Sequence, residues 1–539
     1  MRRLSTPILI LLLPVALFLA FFHPAILDIG NAGWLLDGSD AGENALGAHA
    51  YWHDPAAGAS LHNRLLNAPE GVPLLFTDSN PLVTLAVKPF AALLPADAQL
   101  IGPFILLNLL LQTLFAWLLL RRHAPGEVAL WAGVALLAFP PTLFNRFVHT
   151  NLMAHWLILA ALCLFLDPVR SRRLRWWAPL IAAATLIHSY LLVMVGAIWA
   201  STLLVRFTEG DRRDRGAIAG QGAAILLMVA LLARWLGVGG QVPALNFGAY
   251  SMPLDALWNP AIPAFSNLLP AHETSPGRGF EGFQYLGAGG LVLIALALAA
   301  AWRLPARDRE RATAQRLRGL APALIVLATL AVASLPLPLM VAALLDPVRA
   351  AGRLFWPVGY VLVLMAVLAV FRLSAQRAAL ALVGVVTIQA VDLASMAYAI
   401  RAQSEQAGRH RLYTRTLDPR WGGVIAHARS IAFFPADVTA DLGLYQEIAW
   451  RAAKIGRPVS NVYAARANRI TIGRLKAESA AFARGEPVPG RLYVLLADLP
   501  LSAGMAARRR TLDGVALVLP APGHQATGRG VARLPSHEP

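Results

Sequence analysis

Ten apolar runs, most of them close to 20 residues long, occupy the first three quarters of this chain of 539 residues. A helix needs about 20 mainly apolar residues to cross the hydrocarbon core of a bilayer. Charged residues make up only 14% of the sequence, whereas soluble proteins contain about 25%. The composition therefore predicts a mainly α-helical, polytopic membrane protein. The runs are residues 5–25, 98–120, 127–144, 151–167, 177–206, 217–236, 286–302, 319–339, 354–372 and 378–398.

The run 177–206 is too long for one crossing and carries His188, Ser189 and Tyr190 near its middle. We predict that two helices meet at this polar point, which makes about eleven transmembrane helices. Cytoplasmic loops are enriched in Lys and Arg. Six arginine groups fall on one side only if this run crosses twice, which predicts a cytoplasmic N-terminus and an extracytoplasmic C-terminus. The groups are Arg2 and Arg3; Arg121 and Arg122; Arg170, Arg172, Arg173 and Arg175; Arg212, Arg213 and Arg215; Arg303, Arg307, Arg309, Arg311, Arg316 and Arg318; and Arg372 and Arg377.

The net charge of +17 does not indicate nucleic acid binding, because much of the basic excess lies in short loops beside the apolar runs. Anionic lipid headgroups and the positive-inside rule explain such loops. The single cysteine, Cys163, excludes intramolecular disulfides and Cys-cluster metal sites. The start of the chain has the basic and apolar parts of a signal peptide, but no clear cleavage site follows Phe22, so we expect a retained helix.

The chain divides into a membrane part, 1–398, and a tail, 399–539. Two long loops, 27–96 and 237–285, are rich in Pro, Gly, Asn and aromatic residues, and we expect them to have structure of their own on the outer face. The tail alternates strand and helix patterns, which predicts a small extracytoplasmic α/β domain. Its predicted strands are 430–435, 491–500 and 515–520, and its clearest helix is 441–456.

Acidic residues open the first of these loops. Asp40 and Glu43 follow the first apolar run, and Asp78 and Asn80 lie further along. A carboxylate at the bilayer edge can serve as a general base or bind a metal. The alternative for Asp40 is a solvated turn that caps a helix, and for Asp78 an Asx turn before a proline.

Histidines and tyrosines at membrane depth form a second group of candidates, because ionisable groups there are costly and often functional. His149 and His155 are six residues apart, so they do not form the i, i+4 pair of a helical zinc site. His188 and Tyr190 lie at the predicted break. The alternative for each is a hydrogen bond between helices.

Arg349 and Arg353 form the one concentrated basic feature in an outer loop near the membrane. Their spacing puts both on one face of a helical turn. Two guanidinium groups suit a phosphate or pyrophosphate, which they bind through charge-assisted hydrogen bonds. The alternatives are snorkelling towards headgroups and pairing with Asp346.

The layout resembles the GT-C class of membrane glycosyltransferases, and several stretches are similar to a family of uncharacterised bacterial membrane proteins that carry a domain of unknown function. This resemblance implies an inner-membrane enzyme that moves a sugar from a polyprenyl-phosphate donor to an envelope glycan or lipid. Asp40 would be the catalytic base, and Arg349 and Arg353 would hold the phosphate. The stretches are GSDAGENALG (38–47), FTDSNPL (76–82), HTNLMAHWLILAALCL (149–164), LIHSYLL (186–192), NFGAYSM (246–252), GFEGFQYLG (279–287) and RAAGRLFWP (349–357).

The second long loop would cover this site with Tyr250, Gln284 and Tyr285. Asp40 and Glu43 are three residues apart rather than adjacent, which leaves dependence on a divalent cation open. Two rival functions stay open as well: a transporter or lipid flippase, and a non-catalytic envelope scaffold. No P-loop is present, which argues against an ATP-driven pump.

Overall fold

A computed structural model describes residues 2–58, 60–210, 214–334, 338–466 and 468–521. All ten apolar runs contain helix, because a chain in lipid must satisfy its backbone hydrogen bonds within each segment. The helices before the tail are α1 (Arg2–Phe21), α2 (Asp40–His53), α3 (Pro81–Val87), α4 (Ile101–Leu120), α5 (Glu127–Ala138), α6 (Pro141–Phe144), α7 (Trp156–Leu166), α8 (Leu174–Ile187), α9 (Ser189–Glu209), α10 (Arg215–Trp235), α11 (Pro276–Glu281), α12 (Ala288–Arg303), α13 (Asp308–Arg318), α14 (Ala321–Val332), α15 (Leu339–Leu345), α16 (Trp356–Val370), α17 (Ala375–Asp392) and α18 (Ala394–Ser404).

Within the described residues, seven helical segments are long and apolar enough to cross a membrane. An eighth is counted if α12 and α13 are taken as one span bent by 116°. The seven segments are Ile101–Leu120, Glu127–Phe144, Phe147–Leu166, Ser189–Glu209, Arg215–Trp235, Ala351–Val370 and Ala375–Asp392. Shorter apolar helices include Pro7–Phe21, Leu174–Ile187 and Ala321–Val332. The membrane-helical class is confirmed, whereas eleven crossings stay a prediction.

The long run 177–206 folds as two helices, as predicted. Helix α8 ends and α9 begins at His188, whose backbone is extended (φ −165°, ψ 139°). The ring Nδ1 of His188 accepts a hydrogen bond from the Tyr190 N–H at 3.3 Å, which caps the new helix. The two helices pack against each other.

Arginines from several of the predicted groups lie together at one end of the helix bundle, which we call the arginine end (residues 121–122, 170–175, 206 and 303–318, with 372). Helix α13 lies across it. Arg309 donates to the carbonyl of Arg122 at 3.0 Å, and Arg372 binds Glu310. Of the other predicted arginines, Arg212 and Arg213 lie outside the described residues, as do the side chains of Arg2 and Arg3.

The tail contains a four-stranded sheet in the order β3 (Ser430–Phe434), β4 (Arg491–Leu495), β6 (Val515–Val518) and β5 (Arg509–Leu512). The pair β3 and β4 is parallel, and β6 runs antiparallel to both of its neighbours. The three predicted strands and the predicted helix are present. Strand β5 was not predicted, because three of its four residues are exposed and its two arginines mask the strand pattern. The elements are β1 (His62–Asn63) and β2 (Val72–Pro73) in the first loop, then α19 (Arg420–His427), β3 (Ser430–Phe434), α20 (Leu442–Lys454), α21 (Arg469–Ala483), β4 (Arg491–Leu495), α22 (Ala503–Ala506), β5 (Arg509–Leu512) and β6 (Val515–Val518).

The tail packs directly on the first loop through α20 and α2. The Trp450 ring stacks on His49 with ring centroids 3.7 Å apart. The Gln446 side chain accepts from the Gly38 N–H at 2.8 Å and donates to the Ser39 carbonyl at 2.9 Å. Buried apolar residues of both parts form one continuous core, so the tail holds the start of α2 in position.

The Gly42→Ala variant tests this packing. A Cβ at Gly42 would lie 2.1 Å from the carbonyl oxygen of Leu35 and 2.6 Å from Oε1 of Gln446. We expect the free energy of unfolding to fall by about 1–3 kcal/mol, although alanine is the better helix former. Gly473→Ala, in a helix with open space around it, is the matched control and should not destabilise the protein. Thermal unfolding in detergent measures both, and equal stability of the two variants would contradict the packing.

Candidate functional site

Asp40 begins α2 and points its carboxylate at the rest of the site. The preceding residue, Ser39, is the N-cap, and its hydroxyl accepts from the Gly42 N–H at 3.3 Å. Oδ1 of Asp40 accepts from the Tyr463 hydroxyl at 3.1 Å, and Oδ2 lies 3.5 Å from Nδ1 of His149. Its side chain is 35% exposed, so the carboxylate is partnered but still accessible.

A buried ion network lies on the other side of His149. Oε2 of Glu281 accepts from Nη1 of Arg146 at 2.6 Å and from Nε of Arg353 at 2.7 Å. Oε1 lies 3.7 Å from Nε2 of His149. Burial by itself would raise the pKa of Glu281, but the charges of Arg353 and Arg146 outweigh it, and the pKa is held below its ordinary value. The His149 ring thus bridges Asp40 and Glu281.

Asp78 joins the same site from the turn before α3. Its backbone is left-handed (φ 54°), and its carboxylate accepts from Nδ2 of Asn151 at 3.0 Å. Nε2 of His188 lies 3.9 Å away. Burial raises the pKa of Asp78 to about 6; the charge of His149 and the bond from Asn151 oppose this rise. Asp78 therefore changes its charge near physiological pH.

Glu43 lies one helical turn after Asp40 and is buried, with 3% of its surface exposed. Neither of its carboxyl oxygens has a hydrogen-bond partner within the described part of the chain. Burial, and then the charges of Asp40 and Asp78, raise its pKa well above the ordinary value. Glu43 is therefore a buried acid beside the exposed carboxylate of Asp40, in surroundings that favour its protonated form, and its contact with substrate stays a prediction.

The two arginines predicted to bind phosphate differ in their surroundings. Arg353 is buried and bound to Glu281. Arg349 is half-buried, and across the described ranges its guanidinium has no hydrogen-bond or ion-pair partner. The predicted alternative, pairing with Asp346, is not observed, because Asp346 binds Arg466 at 3.0 Å. Arg349 is close enough to Tyr463, the hydrogen-bond donor to Asp40, to oppose the rise in pKa that burial and Asp40 cause there.

Three more predicted residues support the backbone around this cluster. The Tyr190 hydroxyl accepts from the Ala350 N–H at 2.6 Å, and Arg353 lies over its ring at 4.8 Å from the centroid. Nε2 of Gln284 donates to the carbonyl of Gly352 at 2.7 Å. The Tyr250 carbonyl accepts from the Gly352 N–H at 3.1 Å. These contacts orient the turn that carries Arg349 and Arg353.

The remaining predicted residues have other partners. The Tyr285 hydroxyl donates to Asp392 at 2.7 Å in the core. His155 is buried, and its Nδ1 lies 2.9 Å from the Tyr360 hydroxyl. Oδ1 of Asn80 caps α3 by accepting from the Val83 N–H at 3.3 Å. None of these contacts joins the cluster formed by Asp40, Asp78, His149, Glu281 and Arg353. A substrate role for these three residues stays a prediction.

An apolar groove with an empty volume of about 550 Å³ begins beside the turn that carries Arg353. Phe355 and Trp356, directly after that turn, and Gln284 line it. Its other walls come from α5, α12, α16 and α17. A charged cluster thus adjoins an apolar groove between helices, an arrangement suited to an amphipathic ligand.

No group of three or more His, Cys, Asp or Glu side chains among the described residues is arranged to hold a metal ion. In the cluster, Oε2 of Glu281 binds two arginines and Oδ1 of Asp40 binds a tyrosine hydroxyl. Hydrogen bonds within the protein therefore already use one oxygen of each acid.

The site also contains three residues that were not predicted for it: Arg146, Glu281 and Tyr463. A signal for Glu281 existed, since it lies within the stretch GFEGFQYLG. Tyr463 lies in the tail, which has no sequence feature that connects it with Asp40.

The pH dependence of stability tests the state of Glu43. A carboxyl whose pKa is raised on folding binds more protons when folded, so stability falls as pH rises from about 4.5 towards the folded pKa. Glu43→Gln should remove this loss and flatten the stability profile above about pH 5. Glu405→Gln, an exposed surface change, is the control. An unchanged slope in Glu43→Gln, measured by thermal unfolding across pH, would show that Glu43 is ionised.

Glu281→Gln tests the ion network. Glutamine keeps the shape but leaves two buried guanidiniums without a counter-charge, and breaking such a pair costs about 3–5 kcal/mol. Glu486→Gln, which removes an exposed pair with Arg484, should have little effect. Thermal unfolding compares the two variants, and similar stabilities would refute a structural role for the network.

Two family models match the sequence. One is described as a domain of unknown function, DUF6311, and covers residues 11–394. The other, the DUF6311 C-terminal domain, covers residues 420–520. No curated protein matches the chain. Because the first model covers well over half of the sequence, this chain belongs to the DUF6311 family, whose domain has no established function.

Proposed function

We propose that this protein is a membrane glycosyltransferase that moves a sugar from a polyprenyl-phosphate donor to a hydroxyl of an envelope glycan or lipid. One observation carries the proposal. An accessible carboxylate, Asp40, lies in one cluster with the buried Arg353. Arg349, unpaired within the described ranges, lies close to Tyr463, the partner of Asp40. Residues some 310 positions apart supply a base and cations for one site.

The chemistry follows from these groups. Asp40 accepts the proton of the acceptor hydroxyl as its oxygen bonds to the anomeric carbon of the donor sugar. The bond from that carbon to the phosphate oxygen breaks, and polyprenyl phosphate leaves with the electron pair. Arg349, which has no partner among the described residues, neutralises the departing phosphate. Arg353 is held by Glu281 and adds positive field from a fixed position.

The apolar groove is suited to the lipid part of such a donor. It lies between helices of the membrane part and begins beside the turn of Arg353. A polyprenyl chain could therefore enter from the bilayer while its phosphate reaches the charged cluster. Each Å² of apolar chain surface buried in the groove would stabilise the bound lipid by about 25 cal/mol.

We further propose that the site faces the extracytoplasmic side and that the chain crosses the membrane eleven times. Seven segments of spanning length, the α12 part of the bent pair, and the apolar helices Pro7–Phe21, Leu174–Ile187 and Ala321–Val332 give this number. The arginine end then faces the cytoplasm, in accord with the positive-inside rule. The α/β tail would lie outside, next to Asp40.

Asp40→Asn tests the catalytic base. Asparagine keeps the size and a hydrogen-bond acceptor but cannot take the proton, so we expect transfer to fall at least 100-fold with unchanged stability. Asp37→Asn, an exposed acid three residues earlier, is the matched control and should retain activity. Membranes with and without the protein, fed radiolabelled polyprenyl-phosphate sugars, provide the assay.

The same assay separates the rival functions. Full transfer by Asp40→Asn would exclude Asp40 as the base. Movement of the labelled lipid across the membrane without transfer of sugar would support a flippase instead. If neither sugar transfer nor lipid movement occurs when every envelope sugar class is supplied, a scaffold would be favoured.

A further inference from the structure

A polar cavity, separate from the apolar groove, lies at the arginine end, far from the cluster that contains Asp40. Helix α9 connects the two regions: it starts beside His188 and ends at Glu209, and 21 residues of helix span about 30 Å. The cavity has an empty volume of about 860 Å³. It lies between the ends of α7, α9 and α13 and the loop 168–172, so it does not belong to the proposed catalytic site.

Three arginines from three separate elements line this cavity: Arg172 from the loop, Arg206 from α9 and Arg316 from α13. Arg316 donates to the Phe165 carbonyl at 3.0 Å, but its buried Nε has no acceptor in the described part of the chain. Arg172 is exposed, and within the described ranges its guanidinium has no partner either. Unused N–H donors of Arg172 and Arg316 thus lie at one cavity.

Two carboxylates, Glu209 and Asp214, line the same cavity. Among the described lining residues, the five charged side chains therefore sum to one positive charge, three basic minus two acidic. A site with guanidiniums on one part and carboxylates on another is suited to a small anionic group such as a phosphate that carries other polar substituents. It is less suited to an extended polyanion, which the carboxylates would repel.

The surroundings of the cavity are those of a lipid headgroup region. Leu204 and Phe207 are exposed on α9, at 44% and 48%, but on a different side of the helix from Thr202, Arg206 and Glu209, which line the cavity. Trp176 lies within 5.1 Å of Arg170, an aromatic and arginine pair typical of the membrane interface. Basic pockets between transmembrane helices are known binding places for phospholipid headgroups. The exposed Trp176 ring is therefore available to an acyl chain near the loop that carries Arg172.

We propose that this cavity is a binding site for the phosphate group of a membrane phospholipid, held by Arg172, Arg206 and Arg316. The proposal is independent of the glycosyltransferase function.

Native mass spectrometry of the full-length protein in detergent tests the site with three probes: phosphatidylglycerol, inorganic phosphate and diacylglycerol. We expect phosphatidylglycerol to bind and diacylglycerol not to bind. Arg172→Ala and Arg316→Ala should each weaken the binding about tenfold, because each removes a charge-assisted hydrogen bond. Arg172 is exposed, so its variant should fold even if Arg316→Ala does not.

Arg173→Ala and Arg318→Ala are the matched controls, since each removes an exposed arginine next to a lining one. They should change binding less than twofold. Equal losses in the controls would mean that only general surface charge attracts the lipid, which would overturn the proposal. Equally tight binding of inorganic phosphate would support the phosphate site but assign it to the free ion. Equal binding of diacylglycerol would overturn it.

Discussion

The carboxylate of Glu281 holds the candidate site together, because it joins its own segment to two others that are far apart in sequence. Arg146 lies between two segments of spanning length, Arg353 lies in the turn before α16, and Glu281 itself ends α11. Two guanidiniums share one carboxylate, so one positive charge is left in excess. His149 links this network to Asp40. Loss of the carboxylate would therefore release three elements at once.

The acids around this network lie in different surroundings. Asp40 starts a helix and is exposed enough to be reached. Glu43, one turn further on, is buried with no partner among the described residues, and burial raises its pKa well above the ordinary value. Burial raises the pKa of Asp78 to about 6. The site thus combines an accessible carboxylate with Arg349, whose guanidinium has no partner within the described ranges.

Much of the fold could be predicted from the sequence, because apolar runs of spanning length leave the backbone few alternatives to helix. The break at His188 and three strands of the tail followed from local patterns. Strand β5 did not, since its arginines are exposed on the sheet edge. Local patterns also cannot show which partner a polar side chain finds, so the bonds of Tyr285 to Asp392 and of His155 to Tyr360 could not be predicted.

The candidate site was predictable only in part. Three local patterns drew attention to Asp40, Asp78, His149 and Arg353: acids in the first long loop, histidines at membrane depth, and two arginines four residues apart in a later loop. The structure brings these side chains together. The central role of Glu281 depends on partners more than 70 residues away in sequence, and the bond from Tyr463 to Asp40 joins residues 423 positions apart. A single sequence has no pattern that encodes such pairings.

The most direct test of the account is a cryo-electron microscopy map of the protein with a non-transferable polyprenyl-phosphonate sugar analogue. The account predicts that the phosphonate contacts Arg349, that the sugar lies within hydrogen-bonding distance of Asp40, and that the lipid follows the groove beside Phe355 and Trp356. The account would be contradicted if density for the analogue lay at another surface and only solvent occupied the space between Asp40 and Arg349.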